Sequence, residues 1–533
     1  MQFSWNNPYP TVRSPLFARN VVATSQPLAA QAGLAMLRRG GNAVDAAVAT
    51  AAAMAIVEPC SNGLGSDNFA IVWDGRALHG LNSSGPAPGA WTREYFLRKH
   101  EAIPTRGWDA VTVPGAVAGW AALSQRFGRL PFADLLEPAI ELAERGYGVG
   151  VVTAGSWARQ APVLKSLPGF AEAFMPHGRA PQPGERFRFP AAAATLRRVA
   201  ATKGEAFYRG EIAERLAAHS AANGGAMTTA DLAGFAPQWV TPIATDFAGY
   251  TVHEIPPNGQ GIAALMALGI LRHLDLASLP VDGVPSQHLQ IEAMKLAFAD
   301  VYRFVAEARA MTRVTAADLL DDAYLAGRAR RIDPKRAQDF GHGTPPRGGT
   351  IYLTAADADG TMVSMIQSNY MGFGSGVVVP GTGVSLQNRG HCFTLEAGHP
   401  NVVEPGKRPF HTIIPGFLTR DGKPQMSFGV MGGNMQPQGH LQTLVRMLVY
   451  GQQPQAACDA PRWKVATGLA MDCEHTMAPE IVAGLRALGH AIGPIDSGND
   501  FGSGQFIFKL SDDAEDGYVA ASDSRREGQA VGY

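Results

Sequence analysis

The sequence predicts an α+β fold on three observations. Apolar residues recur at helical spacing through much of the first 330 residues. After Thr350 the pattern changes to short alternating runs bounded by glycine, as strands require. Between the two lies a basic stretch with proline and glycine, Arg328 to Gly349, the one candidate break in the chain. Helices grouped ahead of strands argue for segregated layers.

The elements follow in order. Gln26 to Arg39 reads as a helix closed by Gly40 and Gly41. Ala43 to Ile56 is alanine-rich and apolar nearly all round, which calls for deep burial. Phe69 to Trp73 reads as a strand turning at Asp74 and Gly75. Ala116 to Phe127 and Phe132 to Arg145 read as amphipathic helices. Gly249 to Glu254 reads as a strand, Gly261 to Leu276 as a helix, and Ser286 to Val305 as a long helix. The second segment predicts strands at 351–356, 361–367, 383–387, 412–418, 425–430 and 505–510, with helices near 438–449 and 479–488. There is no internal repeat.

Bulk properties narrow the function. The chain has 45 basic and 46 acidic residues, a net charge of −1, which argues against nucleic-acid or anionic-membrane binding. The six basic residues between Arg328 and Arg347 are too sparse for a phosphate patch and read as an exposed, mobile tail. The longest apolar run, Ala46 to Val57, is too short to span a bilayer. The first fifteen residues hold no apolar core, so no secretion is expected. Cys60, Cys392, Cys458 and Cys473 show no zinc or redox spacing and fit a reducing, cytoplasmic setting.

The chemistry centres on Thr350. Gly348 and Gly349 precede it, and the alternating run Ile351 to Ala355 follows. A threonine at the head of a strand becomes a new N-terminus if the chain is cut before it. Its hydroxyl is then the nucleophile and its own freed amine the base. The two glycines give the backbone the freedom that such a cut needs.

The surrounding motifs carry a resemblance. Downstream stand VSMIQSNYMGFGSG from Val363, GVSLQNRGHCF from Gly383, KRPFHTIIP from Lys407 and FGVMGGNMQPQGH from Phe428. Upstream stand GGNAVDAAVA from Gly40, EPCSNGLGS from Glu58, VTVPGAVAGW from Val111, EPAIELAERG from Glu137 and HLQIEAMKLAFAD from His288. In order and spacing the chain resembles the γ-glutamyltransferase family of N-terminal-nucleophile hydrolases. The resemblance implies a four-layer αββα sandwich. It also implies self-cleavage between Gly349 and Thr350 into segments 1–349 and 350–533, which stay together as one globular unit. The two fragments then form a heterodimer; further dimerisation stays open.

The resemblance also implies site roles. Thr350 takes the nucleophile position, and Ser368 falls where the family has a second threonine bonded to it. Gly432 and Gly433 match the oxyanion hole, where two glycine N–H groups face the tetrahedral intermediate without an intervening Cβ. The head-group residues depart from the family. Ser84 stands at the position of the carboxylate-binding arginine, and His411-Thr412 replace a serine pair. Tyr370 replaces an asparagine, and Arg389 and Cys392 stand near the glutamine and aspartate that hold the ammonium. Arg389, His411, Tyr370 and Thr412 suit an anionic acyl group without an ammonium.

The glycine clusters Gly372 to Gly376 and Gly63 to Ser66 lack the setting of a dinucleotide loop, so no cofactor is expected. The histidines show no metal-binding spacing, so no catalytic metal is expected. The expected activity is cleavage of a small-molecule amide through an acyl-threonine ester. The donor is left open among γ-glutamyl, glutaryl and oxamic amides. An unprocessed binding protein on the same fold is the alternative of another class.

Overall fold

The computed structural model describes residues 13–341, 349–494 and 501–533. Expectations for the first twelve residues, and for Arg347 and Gly348, lie outside the described residues.

Two seven-stranded sheets form the centre. Their strands are β1 Leu16–Ala18, β2 Val21–Thr24, β3 Asp67–Trp73, β4 Leu78–Ser83, β5 Gln238–Val240, β6 Ile243–Phe247, β7 Tyr250–Glu254, β8 Gly349–Ala356, β9 Met362–Tyr370, β10 Gly416–Arg420, β11 Lys423–Met431, β12 Ser503–Lys509, β13 Tyr518–Ser522 and β14 Gln529–Gly532. The first sheet runs β1-β13-β12-β11-β10-β7-β6 and the second β14-β2-β8-β9-β3-β4-β5. All pairings within them are antiparallel.

Side chains of β8 show why the sheets face each other. Ile351, Leu353 and Ala355 point to one side, Tyr352 and Ala356 to the other, as a period of two dictates. Tyr352 and Ala356 join Phe69, Ile71 and Ile366 of the second sheet with Phe417, Ile507 and Tyr518 of the first, in a core between the sheets. Thr354 Oγ1 meets Ser427 Oγ of β11 at 2.6 Å across that interface.

Helices cover both outer faces. Among them are α1 Pro27–Arg38, α2 Ala43–Val57, α3 Ala116–Phe127 and α4 Phe132–Arg145 on the second sheet. On the first sheet lie α5 Gly261–Leu271, α6 Val284–Phe304 and α7 Met435–Leu444. Helix, sheet, sheet, helix is the αββα order. α2 is buried along its whole length, as its all-round apolar sequence requires. Asn42 and Asp45 close a capping box at its start.

Several expectations need correction. The strand expected at 412–418 begins at Gly416. The residues before it spend their backbone groups on a loop instead: His411 N–H donates to Asn258 O, and Gln260 N–H to His411 O. The helix from Gly261 stops at Leu271, and the strand at 383–387 shrinks to Val384–Ser385. The basic stretch is not an exposed tail at its start. Arg328 pairs with Asp300 at 2.6 Å, and Gln338 O accepts from Lys295 Nζ at 2.5 Å. No helix among the described residues is long and apolar enough to cross a membrane.

Candidate active site

Thr350 sits beside a β-bulge. Ile351 pairs with Gln367, and Gly349 pairs with Tyr370. One residue of β8, Thr350, therefore stands opposite two of β9, Ser368 and Asn369. Such a bulge bends the strand and re-aims its side chains. Here it leaves Thr350 Oγ1 3.1 Å from Ser368 Oγ. Ser368 Oγ also accepts from the Tyr370 N–H at 2.8 Å, which holds the serine in place. Tyr370 takes a φ of 76°, rare for a bulky residue and a sign of local strain. Thr350 is only 2% exposed.

Gly432 and Gly433 follow β11 and lead into α7. Their φ values are 124° and 61°, which residues with a Cβ rarely adopt. Their carbonyls are engaged: Met435 N–H donates to Gly432 O, and Gln260 Nε2 donates to Gly433 O at 2.9 Å. Neither glycine N–H has an acceptor among the described residues. The same Gln260 Nε2 donates to Thr412 O at 2.6 Å, joining the glycine pair to the head-group residues.

Arg389 forms the floor of that second region and is fully buried. Its Nη1 donates to Thr412 Oγ1 at 2.8 Å, its guanidinium carbon lies 4.4 Å from the Tyr370 ring centre, and its Nε is 3.6 Å from Asp67 Oδ2. Its Nη2 has no hydrogen-bond partner among the described residues. A buried, unpartnered guanidinium N–H is costly unless a ligand completes it. The Tyr370 hydroxyl has no geometric hydrogen-bond partner among the described residues, and the nearby Cys392 thiol is a weak one.

Asp67 ties the two regions together. It heads β3 and is the cross-strand partner of Ser368. His411 Nδ1 accepts from the Ile413 N–H, so Nε2 carries the proton and donates to Asp67 Oδ2 at 2.9 Å. Burial, then the nearby Arg389, holds the His411 proton affinity well below the usual value. His411 is therefore a neutral hydrogen-bond donor to Asp67, while Arg389 brings positive charge beside it. Burial pushes the Asp67 carboxyl up to about 7, against the pull of Arg389.

The residues singled out in the sequence thus come together. Thr350, Ser368 and Tyr370 meet at the bulge, Arg389, Thr412 and His411 meet around Asp67, and Gln260 links Gly433 to Thr412. Ser84 is engaged in structure, its Oγ donating to Asn82 Oδ1 at 2.7 Å. Sequence reasoning missed Asp67 and Gln260. Asp67 had one signal, an acid opening the otherwise apolar run Phe69 to Trp73. Gln260 had none.

One buried cluster among the described residues has metal-ligand chemistry: His288, Glu292 and His490. Lys295 Nζ lies 2.5 Å from Glu292 Oε1, and His288 Nδ1 lies 2.8 Å from His490 Nε2. The ammonium already supplies the cation, and the imidazoles pair through one nitrogen each, while His490 Nδ1 has no hydrogen-bond partner among the described residues. The cluster reads as a structural anchor of α6.

Comparison with known proteins identifies the family. The family described as Gamma-glutamyltranspeptidase matches residues 29–533. The chain is 35% identical to a glutathione hydrolase-like YwrD proenzyme of Bacillus subtilis, over 98% of this chain and 99% of that one. It is 37% identical to an oxamate amidohydrolase proenzyme of Klebsiella pneumoniae, over 95% and 97%. The crystal structure of a cephalosporin acylase from Bacillus halodurans superposes with a TM-score of 0.95 at 47% identity, covering 100% of this chain and 99% of that one. A catalytic fold matched from end to end, with a threonine at the head of a central strand, makes this chain an enzyme of the γ-glutamyltranspeptidase family, a member of the autoprocessed N-terminal-nucleophile amidohydrolases.

Proposed function

We propose that the chain cuts itself between Gly349 and Thr350 and then hydrolyses amides of a small, carboxylate-bearing acyl group. In the first step Thr350 Oγ attacks the Gly349 carbonyl, giving an ester while the amide nitrogen becomes a free amine. Water hydrolyses the ester and leaves Thr350 as a new N-terminus. In turnover that amine takes the hydroxyl proton as Oγ attacks the substrate carbonyl. The Gly432 and Gly433 N–H groups hold the oxyanion, each such donor contributing about 2.7–4 kcal/mol. The leaving amine takes the proton, and water then releases the acid and restores Thr350. An amine in place of water gives acyl transfer.

The observation that carries the donor class is Arg389, buried and with Nη2 unpartnered. A planar guanidinium in that state is a fitted partner for a carboxylate. The relative called an oxamate amidohydrolase supports the same class, since oxamate is a carboxylate bonded to an amide. The two fragments work as a heterodimer. Its setting is the reducing cytoplasm, as four unpaired cysteines, three of them buried, suggest.

A second reading rests on Asp67. An amino-acid head could place its carboxylate on Arg389 and its ammonium on Asp67, which would make the donor γ-glutamyl. Rates on glutaryl-, pentanoyl- and γ-glutamyl-p-nitroanilide and on oxamate decide between them. At pH 6.5 the processed enzyme should favour glutaryl over pentanoyl by about tenfold or more in kcat/KM, as one charge-assisted contact predicts. Equal rates on the charged and uncharged donors would overturn the proposal.

A further inference from the structure

Arg389 has one carboxylate partner among the described residues, Asp67. The other groups around Asp67 are accounted for. Arg408 faces it but is paired with Glu307 at 3.4 Å. His411 is neutral and donates its single proton. Tyr208 and Cys392 are both held in their neutral forms by burial, and the Gly85 N–H reaches Asp67 Oδ1 at 3.4 Å. This region therefore holds one cation, Arg389, paired only with Asp67 among the described residues, and one anion, Asp67, both fully buried. A substrate carboxylate entering it makes two anions on one cation, which a buried site does not tolerate.

We infer that Asp67 is the specificity-determining residue of this site and that its proton selects the acyl donor. Protonated, Asp67 releases Arg389 to a bare carboxylate head such as glutaryl or oxamyl. Ionised, it neutralises Arg389 and accepts a head that brings its own ammonium, such as γ-glutamyl. The inference rests on the proposed placement of the donor's carboxylate at Arg389. Geometry carries it: Asp67 Oδ2 lies between the guanidinium and the imidazole, and Asp67 pairs across the strands with Ser368, beside Thr350. Its raised proton affinity puts the switch near neutral pH.

The test is the ratio of kcat/KM for glutaryl- over γ-glutamyl-p-nitroanilide, measured on the processed enzyme from pH 6 to 8.5. The titration of the Thr350 amine affects both donors alike and cancels. The ratio should fall by about tenfold across that range as Asp67 ionises. In Asp67→Asn the ratio should stay at its low-pH value throughout. A fall that persists in Asp67→Asn assigns the titration elsewhere and overturns the inference. Should that variant fail to fold, calorimetry on the wild type gives an independent reading. 5-Oxohexanoate, a ketone that mimics the glutaryl amide and cannot be hydrolysed, should bind at pH 8 with uptake of about half to one proton. Comparing phosphate and Tris buffers measures that uptake. Zero uptake overturns the inference. Glutaryl strongly preferred to pentanoyl, with a glutaryl-to-γ-glutamyl ratio that does not move with pH, overturns the proton switch alone. No preference for glutaryl over pentanoyl overturns the donor assignment, and the switch with it.

Discussion

Thr350 Oγ1 and Ser368 Oγ lie 3.1 Å apart although 18 residues separate them, and a bulge in β9 brings them to that distance. In the proposed mechanism Ser368 orients the Thr350 hydroxyl, and the Tyr370 N–H in turn holds Ser368 Oγ at 2.8 Å. Ser368→Ala should slow both self-cleavage and turnover by about tenfold to hundredfold, the worth of one positioned hydrogen bond at a reacting oxygen. Ser368→Thr keeps the hydroxyl and should restore most of the rate. Gel-resolved processing kinetics and steady-state rates measure both effects. Equal rates in Ser368→Ala and wild type would remove Ser368 from the mechanism.

Thr350→Ala should remain one chain of 533 residues and be inactive, whereas the wild type should separate into chains of 349 and 184 residues. A denaturing gel with N-terminal sequencing reads this directly. Cleavage at the same bond in the alanine variant would assign the cut to an external protease.

Gly433→Val forces a β-branched residue into a φ of 61°. The backbone must move away from the intermediate, and kcat should fall by about 10²–10³-fold while the far-ultraviolet spectrum is kept. An unchanged kcat would place the oxyanion hole elsewhere.

Arg389→Ala removes the guanidinium on which the proposed site holds an anionic donor. The advantage of glutaryl- over pentanoyl-p-nitroanilide should fall from about tenfold to near one, chiefly through KM. A retained advantage would move the carboxylate site away from Arg389.

These tests address features that differ in how well the sequence shows them. Thr350 stood out locally, as a threonine after two glycines at the head of an alternating run, whereas Ser368 and the glycine pair were marked only through the family resemblance. The αββα layering was legible through the resemblance, and the all-apolar α2 pointed to its own burial. The segment 412–415 was misread as strand because Thr412, Ile413 and Ile414 are β-branched. Side chains take its backbone groups instead: Gln260, more than 150 positions away, bonds Thr412 O, and Gln436 accepts from the Ile414 N–H. The same distance hid Asp67. Nothing near it in sequence indicates that Arg389 and His411 converge on its carboxylate, and composition cannot show that a charge is buried.

A fifth expectation concerns acid stability. Asp523 is buried against Arg462 at 2.8 Å and Arg525 at 3.1 Å. Burial alone would raise its proton affinity, but Arg525 and Arg462 outweigh that and hold it well below the ordinary carboxylate range. A depressed folded value means that its stabilisation is full above an unfolded pKa of about 3.9 and is lost as pH falls toward the folded value. Asp523→Asn should cost about 3–5 kcal/mol at pH 7, since it leaves the buried Arg462 without its carboxylate and the partly buried Arg525 with Glu474 alone. The gap to wild type in urea midpoint should narrow below pH 4. A gap that stays constant down to pH 3 would show that the carboxylate is not the source.

The strand order of the two sheets sets what a cut before Thr350 can do. In the second sheet β2, from the first segment, is clamped between β14 and β8 of the second segment. In the first sheet β10 to β13 are bracketed by β1 and β7. A broken bond there changes molecularity without changing adjacency. Neither piece can leave without tearing ladders in both sheets, so neither would fold as a free body. Unfolding, a one-body event before the cut, becomes a two-body event after it, and the midpoint of the processed protein should rise with its concentration while that of the uncut chain does not.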